Sequence, residues 1–193
     1  MIWLLLLPAY ALGTFPSAVM VARSKGVDIT KVGSGNPGAS NIARTLGTKW
    51  GVAVFALDAL KGALPALVGV LLDERPVALG MVAAAVVGHM FPATRGFKGG
   101  KGVATMAGAT LVLQPLAFLI LLGLWFVTRK LSGIASVGSI AIAIGLPVVT
   151  AIIGAPWWEI VALVLIAGLV MLRHTSNIKR LLHGSELSAS RSR

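Results

Sequence analysis

Seven apolar stretches, separated by short polar loops, constrain this chain more than any other feature. They run Ile2–Ala22, Trp50–Leu72, Pro76–Phe91, Val103–Leu113, Pro115–Thr128, Ile134–Ile153 and Trp157–Leu172. A straight helix needs about 20 apolar residues to cross the hydrocarbon core of a bilayer. The first, second and sixth stretches have that length, the 16-residue seventh is read as a full span, the third is somewhat short, and the fourth and fifth are half-length, split by Gln114-Pro115. Proline removes a helix donor and clashes with the preceding turn, so a helix breaks there. Composition agrees: 56% of the 193 residues are hydrophobic and 12% are charged, whereas a soluble domain carries roughly 25% charged residues. The expectation is an all-α integral membrane protein. Residues 1–184 form one membrane domain, and Ser185–Arg193 form a polar tail expected to be disordered. The opening stretch lacks a basic n-region and a small-residue cleavage site, so it reads as a retained span rather than a signal peptide.

Charge sets the topology. The chain has 17 Lys and Arg against 6 Asp and Glu, for a formal net charge of +11. All the basic residues except Lys61 and Arg75 fall in the first loop (Arg23, Lys25, Lys31, Arg44, Lys49), the third (Arg95, Lys98, Lys101), the fifth (Arg129, Lys130) and the tail. If the fourth and fifth stretches return to the side they left, all of these lie on one face. The positive-inside rule makes that face cytoplasmic. Seven transmembrane helices follow, the fourth and fifth short, with the N-terminus outside and the C-terminus cytoplasmic. One kinked helix over both short stretches would separate the Arg129 loop from the basic tail. Two short spans, or a re-entrant hairpin, accord better. Basic residues placed between apolar segments point to anionic lipid headgroups and anionic substrates, not to nucleic acid. The absence of cysteine excludes disulfides, thiolate nucleophiles and cysteine metal sites.

Three loop stretches carry polar chemistry. The first is Gly33-Ser34-Gly35-Asn36-Pro37-Gly38-Ala39-Ser40-Asn41, followed by Arg44. Small residues let the backbone turn tightly and present N–H groups to an anion. Ser34, Asn36, Ser40 and Asn41 add neutral polar contacts, and Arg44 offers a fork that matches phosphate. A flexible turn capping the next helix is the alternative, but turns rarely gather so many anion donors. The second stretch runs from Gly88-His89 through Gly96-Phe97-Lys98-Gly99-Gly100-Lys101-Gly102 to Thr105. Glycines and lysines leading into a helix N-terminus make an anion cradle. Its spacing is not that of a nucleotide P-loop. His89 alone reads equally as an interfacial helix-end group. The third stretch runs from Arg173-His174 to Glu186, with His174 and Asn177 on one helix face. A basic helix lying on anionic lipid is its alternative reading. Asp58 and Lys61 lie inside the second apolar stretch, three residues apart. Intramembrane charges mark function by default, but such a pair can also bind helices together.

These three stretches, in this order, resemble the bacterial acyl-phosphate:glycerol-3-phosphate acyltransferase family (PlsY), and the resemblance covers essentially the whole chain. It implies a multi-pass enzyme of the bacterial inner membrane whose active site faces the cytoplasm. The enzyme would transfer a fatty acyl group from acyl phosphate to the 1-hydroxyl of glycerol 3-phosphate, giving lysophosphatidic acid and phosphate for phospholipid synthesis. Its partners would be these two substrates and membrane lipids, with neither metal nor cofactor and no nucleic acid. The resemblance further implies that Ser34, Arg44, Lys101, His174 and Asn177 form the polar catalytic site. Gly33, Gly35, Asn36, Asn41, Lys98, Gly99, Gly100 and Gly102 are the candidate substrate-binding residues.

The residues agree independently on one point. No histidine is followed by the His-x4-Asp pattern of acyl-CoA-dependent acyltransferases, since Thr94, Lys179 and Ser188 stand at the acidic position. A Gly-x-Ser-x-Gly nucleophile elbow is also missing. Two other classes compete. A transporter of an organic phosphate would also carry basic loops and an intramembrane charge pair, but its site would lie at the midplane and an internal repeat would be expected. A lipid-binding assembly protein would explain the charge, but not the ordered glycine, serine and asparagine pattern.

Overall fold

In the computed structural model, which describes residues 1–188, every apolar stretch is helical and no strand occurs among the described residues. After a short 3-10 turn the first stretch divides into α1 (Leu6–Gly13) and α2 (Ser17–Arg23), interrupted at Phe15-Pro16. A short interfacial helix, α3 (Ala39–Leu46), precedes α4 (Thr48–Leu71) and α5 (Arg75–Met90). Then come α6 (Val103–Leu113), α7 (Pro115–Ser132), α8 (Ala135–Ile152), α9 (Trp157–Arg173) and α10 (Thr175–Leu182). Among the described residues, five segments are long and apolar enough to cross a membrane: Ile2–Arg23, α4, Arg75–Arg95, α7 and α8. The seventh stretch, expected at full length, reaches it only with α10: α9 has 17 residues and adds a sixth span if α9 and α10, bent by 57° at their junction, form one broken span.

One expectation needs correcting. The fifth stretch does not end at Thr128 but continues through Arg129 and Lys130 to Ser132, and at 18 residues α7 reaches spanning length. Long basic side chains prolong an apolar helix by lying along it with their heads in water. The stop comes instead at Gly133, whose φ of +70° and N–H bond to the Arg129 carbonyl form a glycine C-cap. The fourth stretch is short as expected, with 11 residues in α6.

Helices α4 and α6 approach closely because small residues meet backbone. A Cβ on Gly62 would strike the Thr105 carbonyl, and one on Gly108 the Ala59 carbonyl. Val82, Val86, Met90, Met106, Leu146, Leu163 and Ile166 fill the interior between α5, α6, α8 and α9. Leu71, Leu119, Ile152, Leu165 and Leu172 point outward, as suits helices solvated by lipid rather than water.

Polar groups gather in three places. Midway, Lys61 Nζ donates to Asp58 Oδ1 at 2.6 Å, to the Phe15 carbonyl at 2.7 Å and to Ser17 Oγ at 3.1 Å, while Ser17 Oγ donates to Asp58. This buried pair therefore ties α4 to the break between α1 and α2. At the end of the bundle where α5 and α9 begin, Arg75 forks onto Glu159, with Nε at 3.1 Å and Nη2 at 2.6 Å, and its Nη1 donates to the Leu113 carbonyl at 3.1 Å. Gln114 donates to Glu159 and accepts from Thr150 Oγ1 at 2.7 Å. The break between α6 and α7 is thus capped by polar side chains. The third gathering lies at the opposite ends of α5 and α9.

Candidate functional site

Asn41 organises the first loop. It sits in the first turn of α3 and is buried. Its side-chain carbonyl accepts the Ser34 N–H at 3.0 Å and Arg44 Nη1–H at 3.4 Å, and its amide donates to the carbonyls of Val32 at 3.0 Å and Ile29 at 3.3 Å. A Cβ on Gly33, whose φ is +58°, would collide with that side chain. Asn41 therefore acts as a strut whose polar atoms are committed within the loop. Ser34 and Arg44 meet at its side-chain oxygen. The half-buried Ser34 hydroxyl accepts the Asn36 N–H at 3.4 Å, and Gly35 continues the turn with φ +67°.

The second loop leaves α5, makes a 3-10 turn at Ala93–Arg95 and folds back on the helix end. The Gly99 N–H donates to the Met90 carbonyl at 3.1 Å and the Gly100 N–H to the His89 carbonyl at 3.0 Å. From the other side Arg173 donates to the Gly99 carbonyl at 2.8 Å and the Gly100 carbonyl at 3.2 Å. The glycine pair is therefore clamped between α5 and α9. Lys101 follows and donates to Asn177 Oδ1. Gly102, with φ +82°, then opens α6. Lys98 lies exposed just before the clamp.

His174 forms the junction between α9 and α10 and is 2% exposed. Its Nδ1 lies 2.8 Å from the Val170 carbonyl. A carbonyl can only accept, so Nδ1 carries the proton and Nε2 of the neutral ring is an acceptor. Burial lowers the His174 pKa to about 4, and the charges of Lys101 and Arg173 push the same way. Asn177, one turn on, accepts from Lys101 and donates to Glu186 Oε1 at 2.6 Å. Glu186 also accepts from Ser136 Oγ at 3.0 Å and from Arg180 Nε at 2.6 Å. Burial works to raise its pKa, but the hydrogen bonds from Arg180, Asn177 and Ser136 outweigh this and hold it below the ordinary value. Burial pushes Lys101 down to about 8, with Arg180, Arg173 and Arg44 acting in the same direction and Glu186 opposing.

The loops thus bring Lys101 into contact with Asn177, and couple Arg44 to Ser34 through Asn41. Lys101 lies within the fields of Arg44, Arg173, Arg180 and Glu186. Three of these cations, Lys101, Arg44 and Arg180, face the one carboxylate, and the surplus positive charge suits an added phosphate. Among the described residues no group of three His, Cys, Asp or Glu side chains converges as a metal site.

Sequence reasoning gave no role to Arg173, Arg180, Ser136 or Glu186. A signal existed for Glu186, an isolated acid within a strongly basic C-terminal stretch. Ser136 carried none, because it reaches the site only through the return of α8. Of the tail expected over Ser185–Arg193, the first part lies on the site through Glu186, and the Ser188 carbonyl accepts from Arg44 Nε at 3.4 Å. Residues 189–193 lie outside the described residues.

Comparison with known proteins adds an independent finding. The glycerol-3-phosphate acyltransferase family model matches residues 3–184. A glycerol-3-phosphate acyltransferase of Thioalkalivibrio sulfidiphilus is 43% identical over 186 residues, covering 94% of this chain and 91% of the relative. One from Aquifex aeolicus is 40% identical over 185 residues, covering 92% and 94%. The crystal structure of PlsY (YgiH), an integral membrane glycerol 3-phosphate acyltransferase, in its glycerol 3-phosphate form superposes with a TM-score of 0.93 at 38% identity, covering 97% of this chain and 94% of that one. A lysophosphatidic acid form of PlsY gives a TM-score of 0.90 with the same identity and coverage.

Proposed function

The chain belongs to the glycerol-3-phosphate acyltransferase family, an integral membrane enzyme of phospholipid synthesis, and on that premise we propose that it takes its acyl group from acyl phosphate and delivers it to the 1-hydroxyl of glycerol 3-phosphate. The observation that carries this reading is the surplus of cations around Lys101, where Arg44, Arg173 and Arg180 gather with a single carboxylate, Glu186. Both substrates are anionic phosphates, so their approach must be offset by fixed positive charge.

Lys101 and Arg44 bind phosphate oxygens, Ser34 and the loop amides orient them, and Asn177 holds the Lys101 ammonium in place. Gly33, Gly35, Asn36, Gly99, Gly100 and Gly102 shape the loops around the substrate, with Lys98 at the exposed rim. The 1-hydroxyl oxygen attacks the acyl carbonyl, a C–O ester bond forms, and the bond from the carbonyl carbon to the phosphate oxygen breaks. The hydroxyl proton leaves on the departing phosphate, giving lysophosphatidic acid and inorganic phosphate. Acyl phosphate is already activated, so positioning is the larger demand on the protein. His174, with a pKa of about 4 and a bare Nε2, suits accepting a hydrogen bond from the hydroxyl better than removing its proton near neutrality. His174→Gln is expected to keep kcat within about tenfold, since Gln can still accept that bond. A loss of about a thousandfold or more in folded protein would make His174 the base.

The fuller topology belongs to the same reading: seven spans with α6 a short one, N-terminus outside, C-terminus and active site on the cytoplasmic side of the bacterial inner membrane. Its support is that the Arg75, Gln114, Thr150 and Glu159 side chains meet at one end of the bundle while the basic loops meet at the other.

The test is phosphate release by purified protein in lipid, with acyl phosphate and acyl-CoA supplied in parallel. Release that needs both acyl phosphate and glycerol 3-phosphate, with lysophosphatidic acid formed, is expected. Turnover with acyl-CoA alone would overturn the donor, and no turnover by folded protein with either would return the transporter reading to the front.

A further inference from the structure

The polar group midway through the bundle leaves one side chain without a role in binding or chemistry. His89 is 6% exposed, at the end of α5, and its Nδ1 is buried without a hydrogen-bond partner. That nitrogen stands 3.7 Å from Asp58 Oδ1, too far for a hydrogen bond. The opposite edge of the ring faces Gly100. A Cβ on Gly100 would collide with Nε2 and lie 2.9 and 3.0 Å from Cε1 and Cδ2. The backbone of His89 is engaged at the same place, since its carbonyl accepts the Gly100 N–H at 3.0 Å. The residue after Gly100 is Lys101, whose ammonium the proposed site depends on.

Accordingly, we propose that His89 is a positioning residue: its imidazole, backed by the Asp58–Lys61 pair, is the seat on which the Gly99–Gly100 turn rests and by which Lys101 is set at the substrate phosphate. The chain of contacts is continuous. Phe15 and Ser17 hold Lys61 and Asp58, Asp58 faces one edge of the His89 ring, and the other edge abuts Gly100. Arg173 closes the turn from above through both glycine carbonyls. Gly100 is required because the ring occupies the space of a side chain. An unpaired buried nitrogen is costly, and a seat for the substrate-binding turn is a functional reason to keep it. The buried Asp58–Lys61 pair, which reads from sequence as either glue or function, thereby acts in both ways: it joins α4 to the break in the first span and supports the ring.

This proposal rests on the reading of Lys101 as a phosphate-binding residue. Its test is therefore a pair of Gly100→Ala substitutions, one in the otherwise unaltered enzyme and one together with His89→Ala, with Lys101→Ala beside them. Saturation by glycerol 3-phosphate is measured in lipid, and thermal unfolding of each variant reports folding. In the unaltered background the new methyl collides with the ring, and Gly100→Ala is expected to raise KM for glycerol 3-phosphate about tenfold with kcat changed less than about threefold. In the His89→Ala background the ring is gone and the same methyl is expected to change KM less than about twofold, a non-additivity that marks direct coupling. His89→Ala alone is expected to raise KM by several-fold, and Asp58→Asn to do so less. If His89→Ala proves too unstable, His89→Asn serves in the same cycle. An equal cost of Gly100→Ala in both backgrounds, or an unchanged KM in folded His89→Ala while Lys101→Ala is inactive, would overturn the positioning role and leave the site reading intact. Full activity of Lys101→Ala would overturn the site reading itself.

Discussion

The two polar ends of the bundle use the same side-chain types to opposite effect. Where α5 and α9 begin, Arg75 and Glu159 meet as a bidentate pair, and Gln114, Thr150 and the Leu113 carbonyl complete the set. One cation faces one anion there, and each group spends its bonding capacity on another helix. Where the same helices end, Lys101, Arg44 and Arg180 share one carboxylate, Glu186, and Arg173 adds a further positive charge beside Lys101. The first end is closed and holds helices together. The second has positive charge left over, which is a cost to the unliganded fold and a gain once an anion enters. Charge balance, rather than polarity, separates a staple from a site.

The sharpest way to break this comparison is at the closed end. Glu159→Ala leaves Arg75 without its carboxylate and frees Gln114, and is expected to cost about 3–5 kcal/mol of stability, read from thermal or denaturant unfolding in lipid or detergent. Turnover per folded molecule should stay within about threefold, since no site residue touches Glu159. A large loss of specific activity with unchanged stability would show that the two ends are not separable in this way.

At the open end the pattern reverses. Lys101→Ala is expected to lower kcat/KM for glycerol 3-phosphate by about 10²–10³-fold, with little loss of stability because it removes one of several crowded cations. Its protonation sharpens the point. With a pKa of about 8, Lys101 is charged below that pH and neutral above it, so kcat/KM should be level near neutrality and fall as pH rises through about 8. Lys101→Arg keeps its charge to much higher pH, and is expected to move that alkaline fall upward even if its activity is lower. An identical alkaline limb in the arginine variant would assign the fall to another group.

The smallest effect is expected within the first loop. Ser40 is exposed on α3, whereas Asn41 beside it is buried and holds the loop. Ser40→Ala should change activity less than about twofold. A loss comparable to that of Lys101→Ala would mean that the loop presents a different face to substrate.

Much of this arrangement was legible in the residues. The three loop stretches, the basic face and the break at Gln114-Pro115 were all visible, because each depends on local composition and backbone chemistry. What stayed hidden was which groups spend their bonds on each other. Asn36 and Asn41 look alike as candidate phosphate contacts, yet Asn41 is used up inside the loop. Arg173 looks like one more helix-end cation, yet it clamps the glycine pair. The end of α7 was misplaced because Arg129 and Lys130 resemble a loop, although a helix in lipid can carry them until Gly133 turns the chain.

By itself the sequence determined that the chain is helical and that it belongs in a membrane, and it marked the basic, glycine-rich loops as the candidate site. Apolar length and the spacing of charges are short-range quantities, and the bilayer reads them one segment at a time. Only the tertiary structure decided that Arg75 pairs with Glu159, that Lys101 meets Asn177, that Glu186 is drawn into the cation cluster and that His89 stands under Gly100. The first two of these contacts join residues far apart in sequence, and each cation had several possible partners. Helix packing chooses among them, by seating small residues against backbone and pairing most of the buried polar groups at the same time.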